Sequence, residues 1–157
     1  MDDVTIARAL HVLAVVHWIG GVAMVTLVIL PALARLVVPE RRLDLFEAIE
    51  GRFGGQARWS VTLAGLSGFW MTWRLDAWDR FATPGYWWMH AMVAVWALFT
   101  VILFVAEPLF LHAWFRRRAT RDPEGTAALV LRAHRVLLAV AAVTILGAVL
   151  GAHGLLY

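Results

Sequence analysis

The sequence predicts an all-α integral membrane protein whose helices form a four-helix bundle, a single domain over residues 1–157. Hydrophobic residues make up 62% of the 157 positions, well above the roughly 45–50% that is usual in soluble domains. They are concentrated in long apolar stretches, and a helix needs roughly 20 such residues to cross a bilayer. The chain has no cysteine, which excludes disulfides, iron–sulfur clusters and thiolate metal sites.

Four transmembrane spans are predicted, at about residues 6–38, 59–75, 86–115 and 127–156. In the first span Pro31 predicts a kink or an early stop. The third span opens with an aromatic cluster at residues 86–88, which favours the membrane–water interface. In the fourth, Gly147 and Gly151 provide a small-residue face for close packing.

The connection between the first two spans carries a helical pattern of its own. Over residues 42–53 apolar and acidic side chains alternate at helical spacing, which predicts a short amphipathic helix at the membrane interface. The pair Gly54 and Gly55 follows and is expected to break this helix before the second span begins.

The arginines predict the orientation. Three of the 14 lie at the ends that include both termini: Arg8, Arg74 and Arg80. The other eleven lie at the opposite ends: Arg35, Arg41, Arg42, Arg52, Arg58, Arg116, Arg117, Arg118, Arg121, Arg132 and Arg135. Basic residues favour the cytoplasmic side, so a bacterial inner-membrane protein with both termini in the periplasm is expected. In a membrane protein this basic charge reports topology, and no nucleic-acid partner is inferred.

Six histidines are the main candidates for a site, because ionisable groups at membrane depth are expensive and usually functional. On the predicted topology His11, His90 and His153 share one level near the outer surface. His17 lies about 9 Å deeper, and about 120° from His11 around the helix. Imidazoles from different helices at matched depth are a common means of holding haem. His11 and His90 are therefore the preferred axial pair, with His17 as an alternative ligand.

For the remaining histidines a structural role, in packing or at the interface, is the expected interpretation. His112 and His134 lie at the inner ends of their spans, and His153 also lies near a helix end. Histidines in such places are more often packing or interfacial groups than ligands.

Two further observations leave alternatives open. Met89, His90 and Met92 place thioether and imidazole groups close together in sequence, a combination that suits copper, although methionine in an apolar helix is usually core filler. Glu107, followed by Pro108, is the only acid within the predicted spans. It either pairs with an inner arginine such as Arg35 or Arg132, or carries protons.

The first span also resembles a known family. His11, Trp18, Gly20 and Gly21, followed by the stretch at residues 30–33, are similar to the CopD copper-resistance membrane family and its small relatives. Residues 52–53 and 63–68, the start of the third span and the region around Leu146 agree in outline. A more distant similarity, at Leu10, His11 and Trp18, is to the HemJ-type protoporphyrinogen oxidases.

These resemblances imply a four-helix bundle in which the first-span histidine ligates haem or a metal. CopD-like proteins often carry lysine in the third span, where this chain has His90. The chain has no lysine at all, a departure that counts against the HemJ-type activity.

Together these observations predict a membrane b-type cytochrome that binds haem b between helices and exchanges electrons with a quinone or a periplasmic redox partner. Trp18 is expected to line the macrocycle, and Arg8 or Arg74 to pair with the propionates. The alternatives are a copper-transport or copper-resistance module, with copper as the cofactor, and a haem-dependent protoporphyrinogen oxidase. Whether the protein is an enzyme or a homo-oligomer is left open.

Overall fold

Four long helices run antiparallel to their chain neighbours in the computed structural model, which describes residues 2–156. They are α1 (Asp2–Leu36), α2 (Pro39–Arg74), α3 (Pro84–Ala119) and α4 (Pro123–Ala152), with a short 3₁₀ helix at Trp78–Ala82 before α3. No strand occurs among these residues. The predicted all-α class is confirmed, and α1, α3 and α4 are long and apolar enough to cross a membrane.

The helices pack in a ring. α1 packs most closely on α2 and α3 on α4, while α1 and α3 face each other across the diagonal. Their shared core draws on all four helices and contains Trp18, Val22, Val61, Val95, Phe99 and Ala141. Outside this core the surface is apolar, since only 17% of the most apolar window of α3 is buried within the bundle. An apolar exterior of this kind suits contact with lipid.

The predicted break at Gly54 and Gly55 is wrong, because α2 continues without interruption from Pro39 to Arg74. Gly54 is a packing position. A Cβ built there would lie 3.3 Å from the Glu107 carboxylate Oε1 of α3. Glycine inside a helix costs roughly 1 kcal/mol relative to alanine, and here that cost is offset by the close approach of α3.

Both prolines inside the apolar helices lie in or beside π-helical segments, at Val25–Ile29 in α1 and Ile102–Leu111 in α3. The helix α1 continues past Pro31 to Leu36, so the early stop predicted at this proline does not occur. Pro108 has no N–H to donate to the carbonyl five residues earlier, that of Leu103. Arg58 of α2 donates its Nε–H to that carbonyl at 3.0 Å, so a neighbouring helix satisfies the oxygen that proline leaves free.

Candidate functional site

The densest polar contacts between helices lie along the seam between α1 and α2. His11 Nδ1 is 2.9 Å from the carbonyl oxygen of Ala64 and 3.1 Å from Ser67 Oγ. Six residues further along α1, His17 Nδ1 is 2.8 Å from Ser60 Oγ. Because Ser60, Ala64 and Ser67 follow one another at intervals of four and three, they share one face of α2. This face orients both rings.

The partners of His11 define its tautomer. A carbonyl oxygen can only accept, so the proton of the neutral ring lies on Nδ1, which donates to Ala64. Ser67 already donates its hydroxyl hydrogen to the carbonyl of Leu63 at 2.6 Å, and it therefore accepts from His11 as well. Among the described residues the hydrogen bonds of His11 involve Nδ1 alone, so the lone pair of Nε2 is available. An imidazole held this way, with one N–H on a carbonyl, is the usual form of a metal-ligating histidine.

Small residues on α2 make room for this ring. A Cβ at Gly68 would lie 3.2 Å from His11 Cε1, closer than an ordinary contact. The serine and glycine at positions 67 and 68 therefore allow the imidazole to reach the backbone of α2.

His17 differs from His11 in two respects. Its ring is exposed on the outside of the bundle, while its partner Ser60 is buried. A hydroxyl can donate or accept, so the bond to Ser60 does not define the tautomer. The sequence places His11 and His17 on separate faces of α1, yet the structure directs both to the same face of α2.

His90 is not brought to His11. Its ring is exposed and lies edge-on to Phe81, with the centroids 5.3 Å apart. Trp88 and Met89 occupy the buried face at this level of α3, and His90 is two residues past Trp88, about 200° round the helix. Within residues 2–156 the two predicted ligands therefore have different neighbours, on helices that lie diagonally across the bundle.

The other residues predicted to contact haem also lie apart from one another. Trp18 is buried in the core, 4% exposed, with its ring edge-on to Phe99 at 4.8 Å. Among the described residues its indole N–H has no hydrogen-bond partner. Arg74 is paired with Asp3, whose Oδ2 lies 2.6 Å from Nε, while Arg8 is exposed at the same end of the bundle.

The remaining three histidines bond to their own helices. His112, His134 and His153 each place Nδ1 at 2.7–3.1 Å from a backbone carbonyl four or five residues earlier. His134 also packs edge-on against Phe46 at 5.6 Å. These contacts are local, in keeping with the packing role expected for these positions.

Tryptophan side chains of α3 fill the space between this helix and its neighbours α2 and α4. The indole of Trp96 lies against Gly65 and donates to the carbonyl of Val61 at 2.9 Å, and that of Trp88 lies against Gly151. A methyl group at either glycine would come within 3 Å of a ring. His11 has an imidazole nitrogen of the kind that ligates haem iron. His90 is exposed against Phe81, so a macrocycle held between these two rings does not fit this arrangement.

The expected copper ligands also diverge. Met89 is buried while His90 is exposed, so the soft donors of this stretch do not converge on one point. In the described part of the chain no three or more histidine, aspartate or glutamate side chains form a group that could hold a metal ion.

Glu107 has a partner that the sequence reasoning did not identify. Its Oε2 lies 3.4 Å from Arg58 NH2, so Glu107 pairs with one of the eleven arginines grouped at that end, as one of the two alternatives expected, although the partner is neither Arg35 nor Arg132. The π-helical segment and the glycine at position 54 together bring this carboxylate to α2. The available signal was the position of Arg58 immediately before the second apolar stretch. In the same way, the seven-residue spacing of Ser60 and Ser67 was the signal for the seam.

Glu50 lies near this ion pair, on the polar half of α2 before the predicted span. Burial raises the pKa of its carboxyl to about 7, and the negative charge of Glu107 contributes in the same direction. Glu50 thus has a buried carboxyl group whose proton is retained to near neutral pH.

Comparisons with known proteins add no relative. No protein-family model, no curated protein and no solved structure matches this chain.

Proposed function

We propose that this protein is a b-type haem protein of the bacterial inner membrane, with His11 as an axial ligand and electron transfer as its activity. The observation that carries the proposal is the bond from His11 Nδ1 to the Ala64 carbonyl, which leaves Nε2 free at a fixed orientation. The resemblance of the first span to CopD-like proteins agrees with a ligand at this position. Haem b would supply a one-electron redox centre, and the protein partner or quinone would exchange the electron.

The packing narrows where such a haem would lie. The indole rings of Trp96 and Trp88 pack between α3 and its neighbours α2 and α4, and His90 is exposed. His17 on the same seam is exposed, so one side of the α1–α2 seam lies at the surface of the bundle. We therefore place the proposed haem on the membrane side of this seam, with His17 as the alternative ligand and His90 outside the site.

The experiment is the absorption spectrum of protein purified in detergent from cells supplied with a haem precursor. A Soret band, with one haem per chain by pyridine haemochrome assay, is expected. A colourless preparation that contains near-stoichiometric copper would contradict the proposal and favour the copper alternative.

We further propose that α2 also crosses the membrane, so that four spans place both termini outside the cytoplasm. The arginine asymmetry of eleven to three supports this orientation. A C-terminal alkaline phosphatase fusion is expected to be active and a C-terminal green fluorescent protein fusion to be dark. The reverse pattern would contradict the orientation.

A further inference from the structure

A cavity of about 340 Å³ lies at the end of α3 where the chain turns into α4. It is lined by Trp114, Arg117, Arg118, Arg121 and Asp122. The first four of these residues are spaced i, i+3, i+4 and i+7, so they form one face that continues from the helix into the turn. Three guanidinium groups therefore surround one cavity.

Asp122 is the only acid among the residues that line this cavity, and both of its carboxylate oxygens already have partners. Asp122 caps α4, accepting from the backbone N–H of Gly125 at 2.8 Å. Its other oxygen is 3.9 Å from Arg118 NH2. Three cations against one anion leave the lining with a net charge of +2, so a negatively charged occupant is favoured.

Arg116 belongs to the same run of arginines but does not line this cavity. It turns away to α2, where its Nε donates to Glu47 at 2.9 Å. Arg117 donates its Nε–H to the carbonyl of Ala113 at 3.2 Å, a bond within the helix that leaves its terminal nitrogens for a ligand. Arg117, Arg118 and Arg121 are all exposed.

The position of the cavity indicates the source of the anion. It lies at the end of α3, which is apolar enough to cross a membrane, and therefore at the level of lipid headgroups. Trp114 on the same face is 44% exposed, and tryptophan favours that level of the bilayer. The opposite end of the bundle is different, since Arg74 pairs with Asp3 and Arg80 lies over the Tyr86 ring at 5.5 Å.

We propose that this cavity binds the phosphate headgroup of an anionic phospholipid from the adjoining leaflet. Arg117, Arg118 and Arg121 contact the phosphate, because a guanidinium group donates two parallel hydrogen bonds to phosphate oxygens. Trp114 contacts the glycerol and upper acyl region. The site does not depend on the proposed haem, which lies on the outer half of the α1–α2 seam.

The test is native mass spectrometry of delipidated protein titrated with phosphatidylglycerol, with phosphatidylcholine as the neutral lipid. The wild type is expected to retain phosphatidylglycerol preferentially. The double variant R117Q/R121Q is expected to bind it about 25-fold more weakly, from roughly fivefold for each arginine near a headgroup. R117K/R121K, which keeps the charge but loses the paired donors, is expected to be intermediate.

The matched control is R41Q/R135Q. It removes two exposed arginines from the same end of the bundle, outside the cavity lining, and it is expected to bind phosphatidylglycerol like the wild type. Equal weakening in this control would overturn the proposal, since it would show a general surface-charge effect. Equal retention of phosphatidylcholine, or displacement of the lipid by inorganic phosphate at matched concentration, would also overturn it.

Discussion

Replacing His11 with alanine is expected to abolish haem binding, so that the purified variant loses its Soret band. In the proposed site this imidazole would supply the bond to the haem iron, and alanine has no group that can replace it. Ala64 and Ser67 would lose the ring that they orient, but they are not themselves ligands. The measurement is haem content per chain, with gel filtration to show that the variant remains folded.

Matched variants distinguish which histidine is the haem ligand. His90→Ala is expected to keep its haem and an unchanged spectrum, because that ring lies exposed against Phe81. His112→Ala should also change nothing, since its Nδ1 bonds to the Glu107 carbonyl of its own helix. Ser67→Ala should weaken haem binding by about tenfold, at the lower end for a residue that orients a ligand, because the Ala64 carbonyl still holds the ring.

Two results would contradict this assignment. Loss of haem in His90→Ala would restore the pair predicted from the sequence, and would require α3 to present a different face from the one in the structure. An unchanged spectrum in His11→Ala would exclude His11 as the ligand and make His17, the alternative ligand on the same seam, the next histidine to test.

Replacing Glu50 with glutamine is expected to remove one component of the pH dependence of thermal stability in detergent, a loss of stability as the pH rises toward 7. The folded protein holds the Glu50 proton to about pH 7, whereas the ordinary value for the unfolded chain is 4.5. Between these values the folded state binds more protons than the unfolded state, so stability falls as pH rises from 4.5 to 7. The difference corresponds to about 3 kcal/mol.

The variant with glutamine stays neutral at every pH, so it should be more stable than the wild type above pH 7 and similar to it near pH 4.5. The control is Asp44→Asn, an exposed acid on the same helix, which is expected to leave the pH profile unchanged. The comparison is the unfolding midpoint at pH 5, 6, 7 and 8. A difference in midpoint between Glu50→Gln and the wild type that does not grow as the pH rises from 5 to 8 would contradict the argument, since the two proteins differ only in this carboxyl group.

The sequence alone was sufficient for the all-α class and for three helices able to cross a membrane, because both depend on length, composition and local pattern. The apolar stretches of α1, α3 and α4 are long enough to identify without knowledge of their neighbours. The histidines at 11 and 17 also stand out in the sequence, since polar groups within apolar stretches are rare.

Tertiary structure decided which of those groups meet. Gly54 reads locally as a helix breaker, but the carboxylate of Glu107 packs on it and the helix continues. His11 and His90 share a depth in the sequence reading, yet Trp88 and Met89 take the buried face of α3 and leave His90 outside. Depth along a helix follows from residue number, whereas the direction of a side chain depends on how each helix is rotated against its neighbours. That rotation is determined by packing between residues far apart in the chain, such as Trp96 on Gly65 and His11 on Ser67.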